Sequence, residues 1–427
     1  MSNDNHITIY EHEILRIDRG EKRVSVNQLK ALQEFYGESG VPYYSLIHNG
    51  VKFCEYVGVL QVGDTLIEIL PKVDKNLTDS EASWRKVLID MLHAVGLFNL
   101  QAPSSSNLKL NSNSILDLYF ELFVKEVKYL LRQGLVKKYR KTEGNSTSLK
   151  GSLKFGKHIS QNLVHQERFY IQHTVYDTTH ELHAILYKVL KLLLRINTNQ
   201  SIQGSLKSLE LEFPEMPDLK ITEATFNRLH LNRKTQGYHN AIEIARMLLL
   251  NYHPDVSKGS NHILALMFDM NLLWEQFVYV SLRKFKKGNT TITAQNTRNF
   301  WKTSKGSKSR MKPDIVLNID KADCVVIDTK WKNIKNYNPS PEDLRQMFAY
   351  MKYYKAKKVA LIYPGTDFSN SSGFYYDHDK YGAHEIGKEE CSVISLPYNT
   401  DIRQWQKQIA LDIYNWVEVN DESSVDC

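Results

Sequence analysis

Met311-Lys312-Pro313-Asp314-Ile315-Val316-Leu317, and after a short polar break Cys324-Val325-Val326-Ile327-Asp328-Thr329-Lys330, is the stretch that decides the fold. Its two apolar runs are too short for helices and suit buried strands. Each run has a carboxylate at one end, and a lysine stands two residues past the second. Side chains alternate along a strand, so Asp328 and Lys330 share a face that Ile327 and Thr329 do not. Pro313 fits the start or edge of a strand. If the strands pair, Asp314 and Asp328 converge on one hydrated cation, and hard oxygen donors suit Mg2+ or Mn2+. Such an ion polarises a phosphate oxygen and lowers the pKa of a bound water. Lys330 then offsets charge developing at phosphorus or helps deprotonate the nucleophile. A single Pro-Asp or acid-x-lysine fragment reads as a surface turn, and Pro217-Asp218-Leu219-Lys220 supplies both. The set at 314–330 differs in its context: strand, turn, strand, with helices on both sides.

The following helix, 341–355, has Ser340 as N-cap, Pro341 at its first position and Glu342 and Asp343 at its positive end. Leu344, Met347, Phe348 and Met351 make its core stripe. Gln346 and Tyr350 lie four apart on another face. That face is either exposed and polar or turned into the cleft, where it contacts nucleic acid or orders the site. Ahead of the first strand, residues 301–312 carry Lys302, Lys305, Lys308, Arg310 and Lys312 with no acid. A solvated loop is the ordinary reading of such a run. Its place beside the carboxylates favours a loop that tracks DNA phosphates.

Further out, the pattern predicts a helix over 261–285 and strands at 359–363 and 393–396. Residues 1–78 read as β-rich, with a hairpin of 56–62 and 65–71 around Gly63-Asp64 and one short helix at 29–36. Residues 79–255 read as mainly helical, at 84–98, 115–131, 182–196 and 240–250, with a loop at 102–107 and a β pair over 134–159. The expected organisation is therefore 1–78, 79–255, an α/β domain with a mixed sheet over 256–415, and a disordered acidic tail at 416–427. The fold class is α/β, or α+β overall.

Composition is that of a folded chain: 427 residues, 42% hydrophobic, 24% charged. The net charge of +7 permits a nucleic-acid partner without requiring one. No apolar run reaches the length of a membrane span, and the N-terminus lacks the pattern of a secretory signal. Cys54, Cys324, Cys391 and Cys427 form no CxxC pair, which suggests a reduced, cytoplasmic setting and no zinc knuckle. Gly151 to Lys157 match G-x-x-x-x-G-K, but His158 replaces the hydroxyl residue, no buried strand leads in and no convincing helix follows, so NTP hydrolysis is not expected. His180-Glu181-Leu182-His183 has the wrong spacing for a zinc helix and reads as packing or surface histidines. There is no G-x-S-x-G, and Cys324 sits in an apolar strand.

Pro313-Asp314 with Asp328-Thr329-Lys330 resembles the motif of the PD-(D/E)XK nuclease superfamily. Three further stretches are similar to the McrC family, the nuclease subunits of McrBC-type modification-dependent restriction systems. They are 268–278 (FDMNLLWEQFV), the hairpin 57–59 with 67–73, and 346–350 (QMFAY). The resemblance spans about 55 to 400. It implies a restriction-endonuclease-like C-terminal domain that cleaves modified, methylcytosine-type duplex DNA with Mg2+. It also implies a third acid, Glu275, whereas helical periodicity alone places Glu275 on the solvent side. The implied partner is a hexameric AAA+ GTPase, McrB-like, which binds the GTP and whose hydrolysis the family stimulates. Lys137, Lys138, Arg140 and Lys141, in the β pair, are candidates for docking on that ring. A second copy of the chain is expected for double-strand cleavage. Around 177–183 an asparagine is expected where His180 or His183 stands. The competing readings are a non-catalytic adaptor bridging motor and DNA, and a repair or recombination nuclease of the same superfamily.

Overall fold

Ile315–Leu317 and Val325–Thr329 are both strands, and their β-branched side chains are buried. The computed structural model describes residues 6–71, 81–96, 114–253, 262–304, 306, 308–332, 338–378 and 384–418. The chain divides into two units: Met1–Leu60, Leu66–Pro103 and Met267–Cys427 form one, Gln61–Thr65 and Ser104–Leu266 the other.

The first unit holds a six-stranded mixed sheet. Its strands are β1 (Ile292–Ala294), β2 (Ile315–Leu317), β3 (Val325–Thr329), β4 (Lys358–Gly365), β5 (Ser369–His378) and β6 (His384–Pro397), in the order β1-β2-β3-β4-β6-β5. β3 and β4 run parallel. That pairing needs a crossover, which the helix Pro341–Tyr354 supplies. Ser340 caps this helix by accepting from the Asp343 amide, with Pro341 in the first turn. Met347, Tyr350, Met351 and Tyr354 pack on Val316, Val326 and Leu361. Phe348, expected in that stripe, is exposed, and Tyr350 and Tyr354 take the core side. The helices Met270–Lys284 and Ile402–Glu418 pack together through Trp274, Phe277 and Trp405, with the Phe277 and Trp405 rings 4.8 Å apart.

The expected N-terminal hairpin forms, Tyr56–Val62 and Thr65–Leu70, with His6–Tyr10 parallel to its second strand; all but Gln61–Thr65 belong to this unit. Glu68 is fully buried there. Burial opposes its ionisation, but hydrogen bonds from His6 and Arg85 outweigh that and hold the carboxyl below its ordinary value. A small antiparallel sheet (Ile14–Arg16, Gly50–Phe53, Tyr44–Ile47) and the helix Val26–Tyr36 complete this part.

In the second unit the helices Ile115–Gln133, Glu181–Ile196 and His239–Leu250 form where apolar periodicity predicts them, joined by Gln200–Glu212. No helix among the described residues is long and apolar enough to cross a membrane.

Four expectations change. The predicted helix over 261–285 begins as a strand, Ile263–Asp269, and becomes helical only at Met270. A short apolar run does not reveal its period; Asp269 sets the boundary by accepting from the Asn271 and Leu272 amides. The β pair over 134–159 does not form. Lys138–Ser146 pairs with Phe169–Asp177, which also takes Ser152–Leu153 on its other edge. Gly151, at φ 77°, turns the chain where a Cβ would meet the Gln172 carbonyl. A helix, Phe155–Asn162, follows where none was expected, tied back by Asn162 bonding Asn145 at 2.7 Å. The loop over 301–312 is an antiparallel hairpin, Arg298–Lys302 with Lys308–Met311. The loop at 102–107 and the acidic tail from 419 lie outside the described residues, and Trp416 belongs to the last helix.

Candidate active site

Strand pairing assembles the site. Ile315 pairs with Ile327 in the antiparallel β2–β3 register, so the next step along brings Asp314 opposite Asp328. Asp314 Oδ2 accepts from the Thr329 amide at 2.7 Å and the Thr329 hydroxyl at 3.0 Å. Lys330 Nζ lies 2.6 Å from Asp328 Oδ2. The contact is a charge-assisted pair, and that buried oxygen has no further partner among the described residues. Lys330 is held in place by its own amide, which donates to the Ile362 carbonyl on β4 at 2.9 Å.

The crossover helix closes one side. Gln346 Nε2 reaches Asp328 Oδ1 at 3.5 Å, the outer limit of a hydrogen bond, and donates to Tyr350 Oη at 2.9 Å. Tyr350 donates to the Lys312 carbonyl at 3.2 Å. Of the two readings of this face, the structure therefore supports the one turned into the cleft.

Glu275 is buried, at 9% exposure, not solvent-facing as periodicity suggested. Its helix is covered on more than one side: Leu273, Trp274, Glu275, Phe277 and Val278 are all buried, so one stripe does not describe it. Burial, then the charge of Asp314, pushes the Glu275 carboxyl up to about 7, against a hydrogen bond from Gln295 and the charge of Lys312. Asp328 is pushed up to about 6 by burial and by Asp314, with Lys330 opposing. Asp314 is raised too, by burial, despite the Thr329 bonds. Burial works against the Lys330 ammonium, but Asp328 outweighs it and raises its pKa. The charge of Asp314 opposes ionisation of both Glu275 and Asp328.

Among the described residues no three His, Cys, Asp or Glu side chains group so that they could hold a metal ion, so Glu275 does not join Asp314 and Asp328 as a third ligand in this arrangement. The donor set instead fits an ion that keeps most of its waters and takes one or two carboxylates, as Mg2+ does. The buried Asp328 Oδ2, which among the described residues meets only the Lys330 ammonium, is the observation in its favour.

Two contributors carried no signal in the sequence. Gln295 adopts φ 48°, rare for a residue with a side chain, while its amide donates to the Asp314 carbonyl at 2.8 Å. Thr329, read only as the middle of the motif, is what fixes Asp314. Lys302, Lys308, Arg310 and Lys312 are exposed on or beside the hairpin that leads into Asp314, and Lys305 lies outside the described residues. In the second unit Lys137 and Lys141 are exposed, Lys138 is half-buried and Arg140 is paired with Asp177 at 2.9 Å. His180 and His183 are packing residues there, as the spacing suggested. His183 is fully buried, donating from Nδ1 to the Thr178 carbonyl and accepting at Nε2 from Tyr238 at 2.8 Å.

Comparison with known proteins points one way. The family described as McrBC 5-methylcytosine restriction system component matches residues 51–364. An Escherichia coli (strain K12) protein, Type IV methyl-directed restriction enzyme EcoKMcrBC, is 24% identical over 300 residues, covering 63% of this chain and 82% of the relative. A chain from a solved assembly of Thermococcus gammatolerans McrB AAA+ hexamers with bound McrC superposes with a TM-score of 0.70. It is 20% identical, and the match covers 96% of this chain and 100% of that one, a likeness of fold.

Proposed function

This chain belongs to the family of McrBC 5-methylcytosine restriction system components, and from that premise we propose that it is the endonuclease subunit, of McrC type. Residues 256–415 act as a PD-(D/E)XK nuclease domain that hydrolyses phosphodiesters of duplex DNA carrying methylcytosine-type modification. Its partner is a hexameric AAA+ GTPase, McrB-like, which binds GTP and whose hydrolysis this chain stimulates; two copies act together to cut both strands. The convergence of Asp314, Asp328 and Lys330 at paired strand ends carries this reading, because a purely bridging protein gains nothing from carboxylates gathered where a phosphate must approach.

Asp314 and Asp328 would hold Mg2+, with Glu275 the third acid that the resemblance implies. When bound, the ion supplies Lewis-acid polarisation of a phosphate oxygen and a more acidic water. Thr329 keeps the Asp314 carboxylate aimed at the site. Lys330, whose ammonium contacts Asp328, is positioned to offset charge developing on the phosphate oxygens. Gln346, anchored on Tyr350, steadies Asp328 and presents an amide donor to the same cleft. The exposed lysines of the hairpin meet the flanking phosphates.

Co-purification with an McrB-like AAA+ GTPase tests the proposal. The pair should cut methylated duplex DNA only with both GTP and Mg2+, and EDTA should stop cleavage. Cutting that ignores Mg2+, or a complex that hydrolyses GTP with no cleavage under any condition, rejects it.

A further inference from the structure

The hairpin before Asp314 carries more than charge. In the strand pairing a bulge lies between Asn299 and Trp301, so Phe300 is an extra residue on its strand. Bulges bend a strand and re-aim its side chains. Phe300 and Trp301 are 53% and 58% exposed. That is an unusual use of two large rings on a ribbon otherwise rich in lysine and arginine.

The base of the hairpin is clamped to the crossover helix. Tyr354 donates to the Asn296 carbonyl at 2.9 Å, and Tyr353 donates to that of Asn299. The Arg298 guanidinium lies 4.9 Å from the centre of the Tyr354 ring and pairs with Asp320 at 2.8 Å. Phe300 meets the Tyr353 ring edge-on at 5.9 Å. The same helix carries Gln346 and Tyr350, so the hairpin is fixed relative to the carboxylates. The Trp301 backbone pairs with Ser309, but its side chain, one residue past the clamp, makes no hydrogen bond or ring contact among the described residues.

We propose that this hairpin is a DNA-distorting element, in which Lys302, Lys308 and Arg310 follow the backbone of one groove and Trp301 stacks on a base unstacked beside the scissile phosphate. A two-stranded ribbon is narrow enough to enter a groove of duplex DNA. An exposed ring at the end of a rigid mount is the type of side chain that wedges between base steps. The absence of any acid over 296–312 makes the ribbon complementary to phosphate on both strands of its own hairpin. Stacking accepts every base, so Trp301 adds affinity and distortion but little sequence choice. This inference rests on the nuclease reading above.

The test uses the chain assembled with its GTPase partner and a modified duplex carrying 2-aminopurine next to the cut site. Wild type should raise the 2-aminopurine fluorescence as the base unstacks. Trp301→Ala should lose that rise, bind DNA about tenfold more weakly and cut more slowly, with GTPase stimulation measured without DNA unchanged; Trp301→Phe should keep most of the signal. Wild-type cutting left undiminished by Trp301→Ala overturns this inference alone. A Trp301→Ala chain that no longer assembles with the GTPase also overturns it, because the ring would then belong to a protein interface. A wild-type complex that neither binds nor cuts DNA removes the nuclease reading and this inference with it.

Discussion

Thr329 holds Asp314 from both its amide and its hydroxyl, at 2.7 and 3.0 Å, on the single oxygen Oδ2. Thr329, the residue between the motif's acid and lysine, thus fixes the acid of the neighbouring strand. Replacing Thr329 by Val keeps its shape and the amide bond but removes the hydroxyl. One hydrogen bond to a charged group contributes roughly 1.5–3 kcal/mol. The expected outcome is a drop in cleavage kcat of about tenfold or more with little change in melting temperature; an unchanged kcat denies the hydroxyl that role.

The carboxyl cluster predicts a metal effect that needs no turnover. Mg2+ added to the chain should raise its melting temperature, since a ligand that binds only the folded state stabilises it by mass action. Asp328→Asn removes the buried acid and should abolish the increment. An equal increment in wild type and variant would place the bound ion elsewhere.

His183 predicts a pH dependence. Burial pushes its pKa down to about 4, helped by the neighbouring His180, although the bond to the Thr178 carbonyl pulls the other way. Its ordinary value is 6.5. Between these values the unfolded chain binds the proton and the folded chain does not. The stability is therefore complete above about 6.5 and lost as pH falls towards 4, on the order of 3 kcal/mol over the window. Urea unfolding at several pH values should show this slope in wild type and a flatter one in His183→Asn. Parallel slopes would mean that His183 takes its proton in the folded state as well.

Glu68 predicts a structural cost. Its carboxylate is fully buried against Arg85, whose Nε lies 2.8 and 2.9 Å from its two oxygens. Glu68→Ala leaves the guanidinium without its partner and should destabilise the chain by about 3–5 kcal/mol in denaturant titration. A loss below about 1 kcal/mol would mean that solvent reaches the pair.

The strand–turn–strand at 314–330 was legible because β-branched runs with acids at their ends have few other uses, and the crossover helix because Ser340 and Pro341 mark its start. Glu275 was not. Its helix is covered on several sides, which erases the stripe that periodicity depends on, and only family resemblance pointed to it. Lys138–Ser146 was legible as a strand, but its partner was not, because its side chains alternate between half-buried and exposed and give no apolar pattern to set a register. The hairpin at 298–311 hid for the same reason: nearly all its side chains face water. Gln295 acts through a left-handed backbone that its residue type does not announce.

Lys330→Ala in the assembled complex tests the central claim most directly, with cleavage of methylated DNA and GTP hydrolysis measured on the same preparation. The predicted result is cleavage reduced by at least a hundredfold while GTPase stimulation stays at the wild-type level. Cleavage that persists at the wild-type rate would contradict the assignment of Asp314, Asp328 and Lys330 as the catalytic centre.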